Sequence, residues 1–335
     1  MKVASLFAGC GGLDLGLIQA GHKIVYAHDI DKDCTITYKK NIGDHIVKGD
    51  IYDLNGDDIP EFDLLTGGFP CQGFSIANLY RHEKDVRNAL YVQLVRIIKE
   101  THPKYFLAEN VPGILNLGGG EVVKVIDKEF SNIGKNSGYP GYDVKRVVVV
   151  ASNYGVPQNR KRVLWLGASK LIEKENREIF LNNFPPKITN SNDQELNQNT
   201  EPLKTLKNAI KDLPEQFDNT IPNHHGTKHK VKINGYIGNR ILDWDKPGPT
   251  IVGRGGGTGG PVIPVHPNLK RRFSVRETAR IQSFPDEFLF EGSISSQYRQ
   301  IGNAVPVLLA YHLGKYFRDF ENGKLDNYPY QKSIY

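Results

Sequence analysis

The sequence predicts an α/β fold: a doubly wound, mostly parallel sheet joined to a smaller, loop-rich unit. Three features carry that prediction. Short apolar or β-branched runs alternate with helical patterns through about residue 168. Beyond that point the periodicity decays into polar sequence rich in Asn, Lys and Pro. Helical spacing then returns in VPVLLAYHLGKYFRDF, which is amphipathic enough to pack back on the first unit. The expected division is 1–168 plus 302–335 for the sheet unit and 169–301 for the second unit.

Taken in order, VASLF, KIVYAHD, IVKGDI, FDLLTGGF and YFLAENV read as strands. Between them, LDLGLIQAG and RNALYVQLVRIIKE carry helical periodicity. Strand, helix, strand at this spacing gives parallel pairing with helices on both faces. YDVKRVVVV and RVLWLGA flank the loop ASNYGVPQN and read as an antiparallel addition at the sheet edge. In the second unit, six of the eight residues from Gly253 to Gly260 are glycine, which marks a loop, and SVRETARIQSF is helical. The sequence contains no internal repeat.

Composition narrows the function classes. The chain of 335 residues exceeds what one core of about 250–300 residues holds, so a second unit is expected. Its apolar runs fall far short of the roughly 20 residues of a membrane span, and MKVASLFAGCGG breaks into glycines before a signal-type region is complete. A soluble, cytoplasmic protein with no membrane partner is expected. Cys10, Cys34 and Cys71 are odd in number, far apart and without C-x-x-C spacing, which argues against both a disulfide framework and a metal cluster. His224, His225 and His229 lack a Cys or acid at ligand spacing, so a surface cluster is expected rather than a metal site. The net charge of +6 is unevenly spread: residues 1–65 hold six Lys/Arg against eleven Asp/Glu, and residues 221–272 hold nine against two. That asymmetry suits a small-molecule unit joined to a polyanion-binding one.

Open parallel sheets bind ligands at the carboxyl ends of their strands. The first strand ends in FAGCGG, where glycines let the backbone approach a ligand closely. The spacing is not G-x-G-x-x-G, and an adenosine cofactor without a pyrophosphate fits it as well or better. The second strand ends at Asp29, 22 residues after Phe7, near the roughly 20-residue offset at which an acid meets ribose hydroxyls. The third ends at Asp50, placed to accept from an exocyclic amine. The fourth runs into GGFPCQGFS, where Pro70 fixes the backbone direction just before the thiol of Cys71. The fifth ends in AENV, and because sequential strands are usually neighbours, Glu109 is expected beside Cys71. A thiol and a carboxyl so placed suit a nucleophile and a proton donor.

In this order, FAGCGGLDLG, GFPCQGFS, AENV, YGVPQNRKR, RRFSVRETARIQSFP and IGNAVP resemble the motif set of the bacterial DNA (cytosine-5)-methyltransferases of restriction–modification systems. The match runs from about residue 3 to 310 and leaves only the middle of the second unit uncovered. The resemblance implies a Rossmann-like, S-adenosylmethionine-dependent methyltransferase with a target-recognition unit. It implies that Cys71 adds to carbon 6 of cytosine, that Glu109 holds or protonates ring nitrogen 3, and that Arg160 and Arg162 neutralise and orient this centre. On the cofactor side it places Phe7 near the adenine, Gly9, Gly11 and Gly12 along the methionine portion, Asp29 on the ribose and Asp50 on the adenine amine. Pro70 and Asn303 complete that pocket. Relatives often carry Glu at the position of Asp29.

Carbon 6 lies inside the duplex stack, so the resemblance also implies a flipped-out base and a closing segment. Residues from about Gln72 to Asn88 fit that part, with Ser75, Arg81, Lys84 and Arg87 facing DNA. In the basic stretch 221–272, Lys and Arg are expected to hold the backbone while Arg240, Arg254 and nearby Asn side chains read base edges in the major groove, and the glycine run ending at Thr258 resembles the family's recognition loop. The expected partners are double-stranded DNA and, functionally, a restriction endonuclease, with a monomeric enzyme, S-adenosylhomocysteine as product and no metal. An RNA cytosine-5 methyltransferase and a catalytically silent DNA-binding relative are the alternative readings.

Overall fold

A computed structural model describes residues 1–70, 90–135, 137–193, 199–235, 237–253 and 263–325. The strands are β1 (Lys2–Leu6), β2 (Lys23–Asp29), β3 (Ile46–Lys48), β4 (Leu64–Gly68), β5 (Tyr105–Asn110), β6 (Tyr142–Val150), β7 (Gln158–Asn159), β8 (Lys161–Ser169) and β9 (Gly248–Pro249). Seven of them form one sheet in the order β3-β2-β1-β4-β5-β8-β6, and β7 pairs with β9 separately. The first five are mutually parallel, while β8 runs antiparallel to both β5 and β6. Strand order reverses between β1 and β4, the switch point where such sheets open a ligand crevice.

The antiparallel pair lies at the edge, as its sequence indicates, but the later strand is the inner one. Burial explains the order. VLWLGA in β8 is apolar throughout and buried along its length, whereas VKRV in β6 is half-buried and suits the outer position.

The helices are α1 (Gly12–Gln19), α2 (Lys32–Asn41), α3 (Leu90–Thr101), α4 (Glu121–Ser131), α5 (Lys174–Asn182), α6 (Leu206–Ile210), α7 (Val275–Ile281), α8 (Ile294–Asn303) and α9 (Val307–Glu321). One sheet face is covered by α1, α5 and α9 through Leu17, Phe180, Leu309, Leu313 and Phe317. The other is covered by α3 and α4 through Leu94, Ile98, Val122, Ile126 and Phe130. The return of α9 to the sheet unit depends on small residues: a Cβ at Gly16 would stand 2.4 Å from the carbonyl oxygen of Val307. A third core, with Leu206, Phe273, Phe284, Phe288 and Phe290, lies under the second unit. Cys10 and Val307 belong to it, so this core continues onto the loop after β1 and the start of α9.

Asp14 is fully buried in the first turn of α1 and accepts a hydrogen bond from the Tyr38 hydroxyl at 2.8 Å. Burial pushes its carboxyl up from 3.8 to about 6, with Ser5 and Tyr38 opposing the rise. Because the folded-state value is the higher one, the stabilisation is complete below about pH 4 and is lost as pH rises through about 6, a loss of about 3 kcal/mol. Asp14→Asn keeps an acceptor for Tyr38 and removes the buried charge. Thermal melts from pH 4 to 8 are expected to show a flatter profile for the variant and a higher midpoint than wild type at pH 8. A variant that melts lower at pH 8 and keeps the wild-type slope contradicts this assignment.

Candidate active site

The glycine loop after β1 bends through left-handed backbone at Phe7 (φ 54°), Gly9 (φ 57°) and Gly11 (φ 91°). Phe7 is the informative member, since a non-glycine residue there costs of order 1–3 kcal/mol and such strain clusters at ligand sites. The three glycines then separate by role. A Cβ at Gly9 would meet nothing within 4 Å, so this position faces open space. A Cβ at Gly11 would strike Ile42 and Tyr38, and one at Gly12 would lie 2.5 Å from the Val305 carbonyl oxygen. Gly11 and Gly12 are therefore small because elements pack against them, and Gly9 is the one open toward the crevice.

Asp29 ends β2 with both carboxylate oxygens engaged by backbone: Gly9 N–H donates to Oδ2 and Asp31 N–H to Oδ1, each at 2.8 Å. Burial raises its pKa, and these backbone donors oppose the rise. Each oxygen keeps a second lone pair, so the carboxylate retains capacity for two hydroxyl donors. Ile30, which follows it, is 64 % exposed and puts an unpaired apolar side chain beside that carboxylate. Sequence reading missed Ile30, although its place directly after the acid marked it. Asp50 lies two residues beyond β3, exposed, and accepts from Tyr52 N–H at 3.1 Å, which makes it a turn former as well as an available acceptor.

Strands β4 and β5 pair Gly68 with Glu109, as the topology argument requires. The Glu109 side chain is buried, and its Oε1 lies 2.5 Å from Arg162 Nε. Its other oxygen faces β4, since a Cβ on Gly68 would sit 3.3 Å from Oε2. Burial raises the Glu109 pKa and the Arg162 guanidinium opposes this, leaving a net upward shift. Asn110 ties the two strand ends together by donating from Nδ2 to the Phe69 carbonyl oxygen at 2.9 Å. Phe69 is buried between Tyr91 and Trp165, which fixes the exit of β4, and the exposed Pro70 follows. A carboxyl held by an arginine and biased toward its protonated form is a group able to give or share a proton.

Arg160 is placed differently from Arg162. The expectation set both at the reacting centre, but Arg160 is fully buried and its guanidinium donates to three main-chain carbonyls, those of Ile251 (2.6 Å), Gly302 (2.7 Å) and Ala304 (3.0 Å). The cause is local: β8 begins at Lys161, and Arg160 precedes it on a turn where the alternation of side chains along the strand has not begun. Asn303 also points away from the glycine loop. It is exposed, and its Oδ1 would be 1.6 Å from a Cβ on Gly253, so it meets the chain at Gly253, while Ala304 and Val305 meet Gly12.

In the second unit Arg240 is exposed on the basic stretch with Lys228, Lys230 and Lys232. His224 is buried, its ring nitrogens engaged by Ser274 and the carbonyls of Pro214 and Gln216, and His225 meets Gln297; the expected surface cluster is in part an internal bracket. Arg272 was missed. Buried, it donates to the carbonyls of Gly238, Ile263 and Lys230 and to Asn239 Oδ1, organising the basic stretch from beneath. Cys71, Ser75, Arg81, Lys84, Arg87, Arg254 and Thr258 lie outside the described residues.

A doubly wound sheet with a glycine loop and a strand-end acid at its switch point, and a buried Glu–Arg pair beside it, has the layout of a ligand-binding α/β enzyme. The family model described as C-5 cytosine-specific DNA methylase matches residues 1–318, and the chain belongs to that family. It is 35 % identical over 342 residues to the type II methyltransferase M.FnuDI of Fusobacterium nucleatum, covering 95 % of this chain and 94 % of the relative. It is 38 % identical to M.NgoFVII of Neisseria gonorrhoeae, covering 91 % and 83 %. Among solved structures, an Escherichia coli prophage-encoded protein described as a DNA modification methyltransferase superposes with a TM-score of 0.69 at 26 % identity, covering 96 % of this chain and 99 % of that one. The Schizosaccharomyces pombe Dnmt2 methyltransferase shares the fold at a TM-score of 0.63 and 18 % identity, over 93 % and 97 %.

Proposed function

We propose that this type II cytosine-5 DNA methyltransferase acts through a covalent Cys71 adduct on a flipped-out cytosine and protects DNA from a partner restriction endonuclease. The observation that carries the reading is the buried Glu109–Arg162 pair, 2.5 Å apart, beside the end of β4, three residues before Cys71. Carbon 5 of cytosine is a poor nucleophile on its own. Addition of the Cys71 thiolate to carbon 6 turns the ring into an enamine whose carbon 5 can attack an electrophilic methyl group. Glu109 holds a proton at ring nitrogen 3 and so takes up the charge that addition creates. Arg162 keeps Glu109 oriented. Loss of the carbon 5 proton then expels Cys71 and restores the aromatic ring.

S-Adenosylmethionine supplies the methyl group when bound. The residues suit it: Gly9 leaves open space, Asp29 keeps lone pairs for ribose hydroxyls, Ile30 offers an apolar face for the base, and Asp50 offers an acceptor for its amine. Gly9→Ala adds a methyl to that space with no protein atom to strike. It is expected to leave the fold intact apart from about 1 kcal/mol of backbone strain. It should also raise the Kd for S-adenosylhomocysteine by about tenfold or more, read by calorimetry. An unchanged Kd contradicts this placement.

Conversion sequencing of plasmid DNA after expression, with labelled methyl transfer to duplex DNA and tRNA in parallel, tests the function. One methylated cytosine context in DNA is expected. Label confined to tRNA, or none at all, overturns the reading.

A further inference from the structure

The second unit meets the cofactor side of the sheet through a buried polar joint built on Gln158 and Arg160 from the β7 segment. Both side chains are fully buried. Residue Ile251 has its two main-chain groups caught by this pair: its N–H donates to Gln158 Oε1 at 3.0 Å and its carbonyl accepts from Arg160 Nη1 at 2.6 Å. The opposite edge of the Arg160 guanidinium holds the carbonyls of Gly302 and Ala304. Gln158 Nε2 donates to Gln282 Oε1 at 3.0 Å, and Gln282 Nε2 donates in turn to the Ile301 carbonyl at 2.7 Å. The two backbones so joined also touch directly: a Cβ on Gly302 would lie 2.4 Å from the Val252 carbonyl oxygen.

Two features separate this joint from ordinary core packing. No carboxylate pairs with Arg160 among the described residues; its two Nη groups are held by main-chain carbonyls drawn from both sides of the joint, and its buried Nε has no partner there. A charge-assisted hydrogen bond of this kind is stronger than a neutral one and costly to leave unmade. Second, the carbonyls come from a stretch that enters the recognition sequence at 252–253 and from one that leads into the glycine loop through Ala304 and Val305, the neighbours of Gly12. Displacing either stretch breaks hydrogen bonds that hold the other.

We propose that Arg160 is a positioning residue that couples the recognition stretch to the cofactor loop, so that DNA and cofactor binding strengthen each other through the Gln158–Arg160–Gln282 joint. The inference rests on the function proposed above. Coupling of this kind is reciprocal and is measured as one factor: the ratio of DNA dissociation constants without and with saturating cofactor product.

The experiment measures that ratio by fluorescence anisotropy, using a labelled duplex carrying the methylated context found by sequencing and S-adenosylhomocysteine as the second ligand. Wild type is expected to give at least about tenfold, within the usual range of coupling. Arg160→Lys keeps the charge but not the fork that spans both sides, and should bring the ratio to within about twofold of one. Gly302→Ala wedges the two backbones apart while keeping the Arg160 guanidinium itself, although it shifts one of the carbonyls that guanidinium holds, and should do the same if the lysine variant fails to fold. Arg272→Lys, which disturbs the recognition unit from within, should weaken DNA binding while leaving the ratio at the wild-type value. A wild-type ratio of one, a ratio kept in both Arg160→Lys and Gly302→Ala, or an equal loss in Arg272→Lys overturns the proposal. Failure of wild type to methylate DNA would instead overturn the function itself.

Discussion

Cys71→Ser is expected to lower kcat for methyl transfer by about 10⁴-fold while leaving the affinities for duplex DNA and S-adenosylhomocysteine within a few-fold of wild type. Serine is nearly isosteric, but its hydroxyl is scarcely ionised near neutral pH, and attack on carbon 6 needs the anion. No other thiol can replace it. Cys10 is buried, with its thiol pushed up to about 12 mainly by burial, and Cys34 is buried with its thiol raised still further for the same reason. The measurement is single-turnover transfer of labelled methyl to duplex DNA. Transfer within tenfold of wild type would remove Cys71 from the mechanism.

Glu109→Gln is the second large effect, with an expected fall in kcat of about 10²- to 10⁴-fold, the usual range for loss of a general acid. Glutamine can hydrogen-bond but cannot pass a proton. It also leaves the Arg162 charge buried without its carboxylate, a loss of about 3–5 kcal/mol for a broken buried pair, so thermal melts should show a lowered midpoint. The pH dependence carries a sign. Burial raises the Glu109 pKa above 4.5, so the proton it lends is retained to higher pH than in an exposed glutamate and is lost as pH rises through the folded-state value. Wild-type kcat should fall on that alkaline side, and in Glu109→Gln this limb should vanish. A variant that keeps both the rate and the limb would show that the proton comes from elsewhere.

Glu109 also shows how much of the molecule was legible in the sequence. Its place beside the end of β4 needed only strand order, because parallel strands joined by one helix tend to be neighbours, and Gly68 faces Glu109 in the register, while Cys71 itself lies outside the described residues. The parallel half of the sheet, the antiparallel pair and the return of α9 were legible for similar reasons: apolar periodicity reports the face an element buries. The placing of β8 inside β6 was less so, since it depends on comparing how fully two apolar strands can be covered.

Side-chain direction at element ends was not legible. Arg160 and Arg162 are two residues apart and suggest one face, yet the strand starts between them, and one arginine serves the carboxylate while the other serves carbonyls 91 and 142 or more residues away in sequence. Gln158 and Gln282 stood inside the quoted motifs PQNRKR and ARIQSFP, but a glutamine in a motif does not announce that it will be buried. Gly11, Gly12 and Gly9 are alike on paper, and only the neighbours of their α-carbons separate packing from an open crevice.

The most direct test of the covalent mechanism is incubation with duplex DNA carrying 5-fluorocytosine at the methylated position. Fluorine cannot leave carbon 5 as a proton does, so the adduct is trapped once the methyl group has been transferred. The account predicts a denaturation-resistant protein–DNA complex that requires S-adenosylmethionine and whose cross-linked peptide contains Cys71. An enzyme that methylates ordinary cytosine yet forms no such complex, or forms it through another residue, would contradict it.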